Sequence, residues 1–343
     1  MAPLIPRMQV FEILDFPWFP NFLRAYIQAA LTVAWTSRVS TALLTPSIFQ
    51  TSKPRPASIV ATLLRTHLSP YGPLSSYIFI DFCAGGGGPT PSIEQDINAR
   101  PKTRPAVLDQ EPVRFVLTDL HPHPFLWSLA GAWSPRPPQF RRGRALTYVH
   151  EPVDATCVSA DLLQRILLTD GDDSKKKIFR LFNLAFHHFD DDLARRILKD
   201  TVNNSRTNHG GGIGIFELQS RSLAGFAACC LLLPATLLLA PYYALKWGTP
   251  LTLLAFTYLV PVVPVVLVWD GWMSCLRTRT VEEVEALLRT CGADGGEEEI
   301  ARWEVKSGRE RFLWPVGSVN WVMLVRREEG EGEGSGRVGG GES

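Results

Sequence analysis

Residues 78–89 read Ile78-Phe79-Ile80-Asp81-Phe82-Cys83-Ala84-Gly85-Gly86-Gly87-Gly88-Pro89. An apolar run ends in an acid, and four glycines follow it. The apolar run is the pattern of a strand buried on both faces, as in a parallel sheet. Glycines at its end let the backbone take positive φ and approach a ligand closely. Pro89 and Pro91 suit the first turn of a helix, where a missing N–H costs nothing. A strand, a Gly-rich turn and a helix N-terminus make a nucleotide-type site at the carboxyl edge of a sheet.

Two cofactor classes use such a turn. A dinucleotide site wants G-x-G-x-x-G. Counting from Gly86 the last position is Pro91, and from Gly85 it is Thr90, so neither frame completes it. The stretch Asp81–Pro89 instead resembles the first motif of the class I S-adenosylmethionine-dependent methyltransferases, in the D-x-x-x-G-x-G-G-P form of some small-molecule members. Two further stretches resemble the same subgroup. One is Phe186-His187-His188-Phe189-Asp190-Asp191, and the other is Asp270-Gly271-Trp272-Met273-Ser274-Cys275-Leu276-Arg277, a D-G-x-x-S-x-L-R pattern.

Strands of the same kind recur along the chain. Val113–Asp119 again ends in an acid, 38 residues beyond Asp81, with a polar Pro-containing insertion at 98–112 between them. Ala145–Val149, Ile178–Leu184 and Ile213–Leu218 read as the third, fourth and fifth strands. Gly210–Gly212 reads as a turn before the last of these. Asp190–Asp192 should start a helix, which the helix dipole favours. Asp191/Arg195 and Asp192/Arg196 are candidate i, i+4 pairs on it. Ala301–Lys306 and Val319–Val325 read as a terminal strand pair around Trp314-Pro315. Upstream, helices are expected after Pro20, with Asn21 as cap, and over Ile59–Leu68.

The fold expected is therefore α/β, a doubly wound, mostly parallel seven-stranded sheet of Rossmann-like class I methyltransferase type. The resemblance implies S-adenosylmethionine as cofactor. Asp81, Cys83, Ala84, Gly85, Gly86 and Gly87 would hold its methionyl part and backbone, and Asp119 its ribose. Asp154, with Ala155 beside it, would meet the adenine, and Asn183 and Leu184 would flank the cofactor. His187 or His188 would face the methyl-transfer pocket as base or anchor. Phe16–Pro20 could line a helical cover over that pocket.

Bulk properties narrow the classes. The 343 residues carry a net charge of +1, which offers no electrostatic case for nucleic acid. Cysteines 83, 157, 229, 230, 275 and 291 show no C-x-x-C spacing, so neither a zinc site nor a disulfide framework is expected, which fits a reducing compartment. His121 and His123 stand at i, i+2 with no third ligand at a recognised spacing, and no metal is expected there. Nothing near the N-terminus, with Glu12, Asp15 and several prolines, reads as a secretory signal.

Residues 222–269 break the pattern. Lys246 is their only charged side chain, and it separates two uncharged runs of 23 residues, 223–245 and 247–269. As a helix each run would reach about 34 Å, against a hydrocarbon core of about 30 Å. Arg221, Arg277 and Arg279 flank the outer ends, so a membrane hairpin would leave the catalytic domain in the cytosol. The alternatives are a re-entrant hairpin or two apolar helices that cap the active site.

The organisation expected is a helical cover over 1–70, a cofactor-binding part over 71–221, the apolar hairpin over 222–269, the rest of the domain over 270–327 and a disordered Glu/Gly/Ser tail over 328–343. The expected function is methyl transfer to a small, lipophilic acceptor at a membrane. The rivals are a non-catalytic membrane-anchored module of the same fold, a nicotinamide-dependent oxidoreductase, and a purely structural membrane protein.

Overall fold

The computed structural model describes residues 5–37, 54–99, 112–124, 127, 145–168, 176–207 and 211–327. The expected tail over 328–343, most of the 98–112 insertion and much of the loop ahead of the second helix lie outside the described residues.

Seven strands form one sheet in the order β3-β2-β1-β4-β5-β7-β6. They are β1 (Tyr77–Asp81), β2 (Arg114–Leu117), β3 (Leu146–Tyr148), β4 (Lys177–Asn183), β5 (Gly211–Glu217), β6 (Trp303–Leu313) and β7 (Gly317–Arg326). The first five are parallel, and β7 runs antiparallel between β5 and β6. The order reverses between β1 and β4, so a crevice opens beyond their carboxyl ends. Every residue of β1, β2 and β5 is buried, as a sheet covered on both faces requires.

The two faces have separate cores. On one, Phe79, Phe115, Phe179 and Phe216 pack against α2 (Pro56–Leu68) and α3 (Thr90–Asn98). On the other, Ile78, Ile80, Phe182 and Ile215 pack against α4 (Ala160–Leu168), α5 (Asp191–Thr207) and α10 (Val281–Arg289). That is the doubly wound architecture expected. α11 (Gly296–Ala301) leads into β6.

Several local expectations are corrected. Asn21 is the first residue of α1 (Asn21–Thr36), and Pro20 is its cap. The i, i+4 pairs on α5 do not form. Arg195 meets Asp192 at i, i+3, while Asp191 is taken by Arg7 and Arg279 from distant segments. Gly211 and Gly212 are strand residues, not a turn. Gly212 faces β7 so closely that a Cβ would lie 2.4 Å from the Leu324 carbonyl oxygen.

The apolar insertion begins with α6 (Leu223–Cys230) and α7 (Leu232–Lys246), which together give 24 residues long and apolar enough to cross a membrane. Little of this stretch is buried. The second run is not one straight helix. It consists of α8 (Pro250–Leu254), a π-helical turn over Ala255–Leu259, and α9 (Val262–Arg277), with a 66° bend where the ladder breaks at Val260 and Pro261. The expected boundary at 269/270 falls inside α9. Its Val263, Val266 and Leu267 pack on Phe19, Leu23 and Ile27 of the N-terminal segment and α1.

Gly212→Ala should destabilise the domain by about 1–3 kcal/mol, because the Cβ meets backbone and the Phe179 ring. The midpoint of urea unfolding reads this, with Gly292→Ala, at a site where positive φ strains the backbone but no atom lies near, as the comparison.

Candidate functional site

The turn after β1 is held from three sides. Asp81 is fully buried, and its carboxylate accepts a hydrogen bond from Thr90 Oγ1 at 2.5 Å, at the start of α3, and one from Asn183 Nδ2 at 3.3 Å, at the end of β4. Burial pushes its pKa up to about 7, against the two hydrogen bonds and with the nearby Asp119 charge. Asp119, two residues past β2, accepts from the Gly85 backbone N–H at 2.8 Å through one oxygen and from the His121 N–H at 2.8 Å through the other. Cys83, Gly85, Gly87 and Gly88 have positive φ, so the loop bends back on itself, and Trp127 Nε1 donates to the Gly85 carbonyl.

A cavity of about 260 Å³ lies over this turn. Its sheet-side wall contains Cys83, Ala84, Gly85, Gly86, Asp119, Asn183 and Leu184. Those expected cofactor residues therefore share one surface. Asp81 stands behind that surface and acts on it through Thr90 and Asn183. Gly87 supports the turn by donating to the Ala84 carbonyl at 2.8 Å. Asp154 and Ala155 do not line the cavity. Asp154 accepts from the N–H and hydroxyl of Thr156, and Ala155 is buried in the core. They adjoin the site through Val153, whose N–H donates to the Asp119 carbonyl. The Asn183 Oδ1 atom is buried without a hydrogen-bond partner, and so is Gln219 Oε1, both on cavity-lining residues. A buried unpaired carbonyl oxygen costs about 1–3 kcal/mol unless something donates to it.

The opposite wall was only dimly legible. The N-terminal segment crosses the cavity as a single 3-10 turn, Ile13–Asp15, and places Glu12, Leu14 and Asp15 on the wall. Phe16–Pro20, expected to line the cover, does not. Phe19 is buried against Leu23, Ile27 and α9, and Trp18 is exposed. α1 adds Gln28 and Trp35, and α9 adds Leu267, Asp270, Gly271 and Ser274. Asp270, Ser274 and Arg277 stand at i, i+4 and i+7, one face of α9. Asp270 accepts from the Ile13 and Leu14 N–H groups, Ser274 Oγ donates to Glu12 Oε1 at 2.8 Å, and Arg277 Nη1 meets Asp15 Oδ2 at 2.7 Å.

Between the walls stand the two histidines. His187 is buried with Nδ1 2.9 Å from Glu217 Oε2 and Nε2 3.3 Å from Glu12 Oε1. His188 is stacked beside it with ring centroids 4.3 Å apart, is partly exposed, and sets Nδ1 3.2 Å from Asp15 Oδ1 and Nε2 3.8 Å from Glu12 Oε2. Burial opposes a charge on His187, yet Glu217 and Glu12 raise its pKa to about 10. Burial likewise disfavours the Glu12 carboxylate, but His188, His187 and Arg277 hold it down at about 2.

No family model matches the chain, and no curated protein matches it. Among solved structures it is similar to LepI in complex with SAH and a substrate analogue, at 14% identity over 77% of this chain and 46% of that one, with a TM-score of 0.38. It is similar to the 1,6-didemethyltoxoflavin-N1-methyltransferase of Burkholderia thailandensis with bound 1,6-didemethyltoxoflavin and S-adenosylhomocysteine, at 13% identity over 92% and 93%, TM-score 0.38. Human N-acetylserotonin methyltransferase in complex with SAM gives 11% identity over 80% and 54%, TM-score 0.35. The chain spans about half the length of LepI and of the human enzyme. Likeness this loose bears on neither cofactor nor reaction.

The buried imidazolium sets a pH dependence. The folded pKa of His187 is raised, so its stabilising proton is fully present below the ordinary value of 6.5 and is lost as pH climbs through about 10. Glu217→Gln should therefore lower the melting temperature at pH 6, and the gap to wild type should narrow steadily toward pH 10. Melting curves across that range check it, and a constant gap would contradict it.

Proposed function

We propose that this chain transfers a methyl group from S-adenosylmethionine to a small, lipophilic acceptor, at a membrane surface. The observation that carries the reading is the wall where the glycine turn, Asp119 and Asn183 meet at the switch point of the sheet. The residues present suit the cofactor. Asp119 keeps lone pairs directed at the cavity while the Gly85 and His121 N–H groups fix its carboxylate, a fitting acceptor for two ribose hydroxyls. Asn183, held by Asp81 and Thr90, completes the same wall beside the turn. The terminal antiparallel pair with β7 inside β6 also separates this sheet from a dinucleotide-binding one, and no third glycine completes G-x-G-x-x-G. When bound, S-adenosylmethionine supplies a methyl group activated on a sulfonium.

The chain's own residues would do the rest by positioning, which can account for most of the acceleration in a two-reactant transfer. The turn and Asp119 bind on one side. Glu12, Asp15, His187 and His188 face the acceptor on the other, where carboxylate-backed imidazoles orient a hydroxyl or amine and govern its proton. The N-terminal segment, α1 and α9 roof the cavity and exclude water. Leu31, Leu232 and Leu267 on this side favour an apolar acceptor body.

The insertion supports the membrane part. Leu223, Leu238, Leu245, Leu251 and Leu259 are each more than 70% exposed, an apolar surface unlike that of a monomer in water. Because α9 returns into the domain and its Asp270–Arg277 face holds the N-terminal segment, the insertion fits a bilayer as an embedded surface that roofs the site and presents its α7–α8 side to lipid.

Two measurements test these parts separately. Asp119→Ala should raise the Kd for S-adenosylmethionine roughly 10- to 150-fold, the loss of charged hydrogen bonds worth about 1.5–3 kcal/mol. Titration calorimetry on folded variant reads it, and unchanged affinity would remove the ribose assignment. Leu238→Lys with Leu245→Lys should cut partition onto phosphatidylcholine vesicles by roughly 150-fold or more, at about 1.5–3 kcal/mol per leucine and so about 3–6 kcal/mol for the two. Flotation that is equal for both proteins would remove the lipid-facing assignment.

A further inference from the structure

Glu12 stands 175 residues before His187, yet Glu12, His187 and His188 bring one donor atom each to within 4.8 Å of one another. His187 Nε2 is 3.3 Å from one Glu12 oxygen and His188 Nε2 is 3.8 Å from the other. Bonds of about 2.0–2.1 Å in a tetrahedral site put neighbouring donor atoms about 3.3–3.4 Å apart. Each imidazole turns its Nε2 toward the Glu12 carboxylate, His187 toward Oε1 and His188 toward Oε2. Both also have Nδ1 against a carboxylate, Glu217 Oε2 at 2.9 Å and Asp15 Oδ1 at 3.2 Å. That outer carboxylate is what fixes ring and tautomer in metal-ligating histidines. His187 Nε2 is buried in a side chain only 1% exposed, and it makes no hydrogen bond of good geometry. All three residues line the cavity.

We propose that Glu12, His187 and His188 bind one divalent transition-metal ion of the zinc type, with Glu217 and Asp15 orienting the two imidazoles. Two imidazoles and one carboxylate suit Zn²⁺ or Co²⁺, and the hard all-oxygen cations Mg²⁺ and Ca²⁺ do not favour such a set. Charge favours a cation, because Glu12, Asp15 and Glu217 face one cation, Arg277, when the imidazoles are neutral, and a fourth carboxyl group, Asp270, lies beside them. Ser274 Oγ donates to Glu12 Oε1 and Arg277 Nη1 lies 3.4 Å from it, which orients the carboxylate and leaves Oε2 toward His188. Because all three residues line the cavity, a ligand held there could reach such an ion. Resting on the methyl-transfer reading, the ion would hold an oxygen of the acceptor there and lower its pKa, so the preferred acceptor is a phenol, enol or other acidic hydroxyl.

The rival occupant of the same place is a proton on His187 between Glu12 and Glu217. Full-length protein in detergent, stripped with a chelator, separates the two. Calorimetric titration with Zn²⁺ should show one equivalent, and Co²⁺ should give visible absorption of a low-coordinate site. His188→Ala, at a partly exposed side chain and with its fold checked by melting, should abolish the Co²⁺ spectrum. Asp15→Asn should weaken Zn²⁺ about 10- to 100-fold. His121→Ala with His123→Ala should leave both signals unchanged. The proposal is overturned by absence of stoichiometric Zn²⁺ binding, by binding that His188→Ala leaves intact, or by binding that vanishes with His121 and His123. S-adenosylmethionine titrated into the same stripped protein reports on the cofactor site independently. Cofactor binding without Zn²⁺ binding removes the metal and keeps the methyl-transfer reading.

Discussion

A carboxylate with no access to water sits at the point where three elements converge. Asp81 ends β1, Thr90 opens α3 and Asn183 ends β4, and the bonds among them fix how these elements meet. A buried carboxyl group is costly unless it is hydrogen-bonded, so the three ends cannot drift apart without stranding it. The glycine turn between Asp81 and Thr90 has then to bulge outward over a short span, and positive φ at Gly85, Gly87 and Gly88 is how it does so. The wall of the cavity follows from this constraint. Asp119 and Asn183 reach it because their strands are parallel neighbours of β1 on either side.

The roof depends on a second polar set, and its parts are far apart in the chain. A short N-terminal segment with little core of its own is pinned by its backbone and carboxylates to one face of α9. The same face, through Arg277, reaches the His187 and His188 carbonyls. The histidine loop, the N-terminal turn and the apolar insertion are therefore one mechanical unit. Arg7 and Arg279 extend it by bonding the Phe189 carbonyl and Asp191 beyond the histidines.

Much of this was legible in local sequence, and the rest had a definite reason for being hidden. Apolar runs, several of them ending in acids, marked the parallel strands to within a residue or two, because burial on both faces leaves few alternatives. The glycines and Asp119 announced the sheet-side wall of the cavity because close backbone approach and a strand-end acid are local requirements. Glu12 and Asp15 carried no such mark. Their role comes from partners more than 170 residues away, and their only local sign was acids within an aromatic-rich segment. Asp270, Ser274 and Arg277 did carry a sign, since spacing of four and three residues puts them on one helix face within a stretch otherwise apolar. What that face meets is set by topology. The supposed pairs on α5 failed for a related reason: Asp191 found two arginines from other segments, which its helical neighbour could not match.

The order of the sheet also governs how the chain can assemble. β5 lies beside β7, and the pairing of Gly212 with Val325 joins residues 113 apart, with the whole apolar insertion between them. During synthesis the insertion leaves the ribosome while the β5 edge is still open and the strand that covers it does not yet exist. An exposed edge and an exposed apolar helix pair are then present together, the conditions under which intermediates aggregate. Closing a contact of such long range is also intrinsically slow. Early capture of α6 and α7 by a lipid surface or a chaperone would shelter the insertion until β6 and β7 arrive, so the segment that roofs the finished site is also the one that most needs protection while the site is being made.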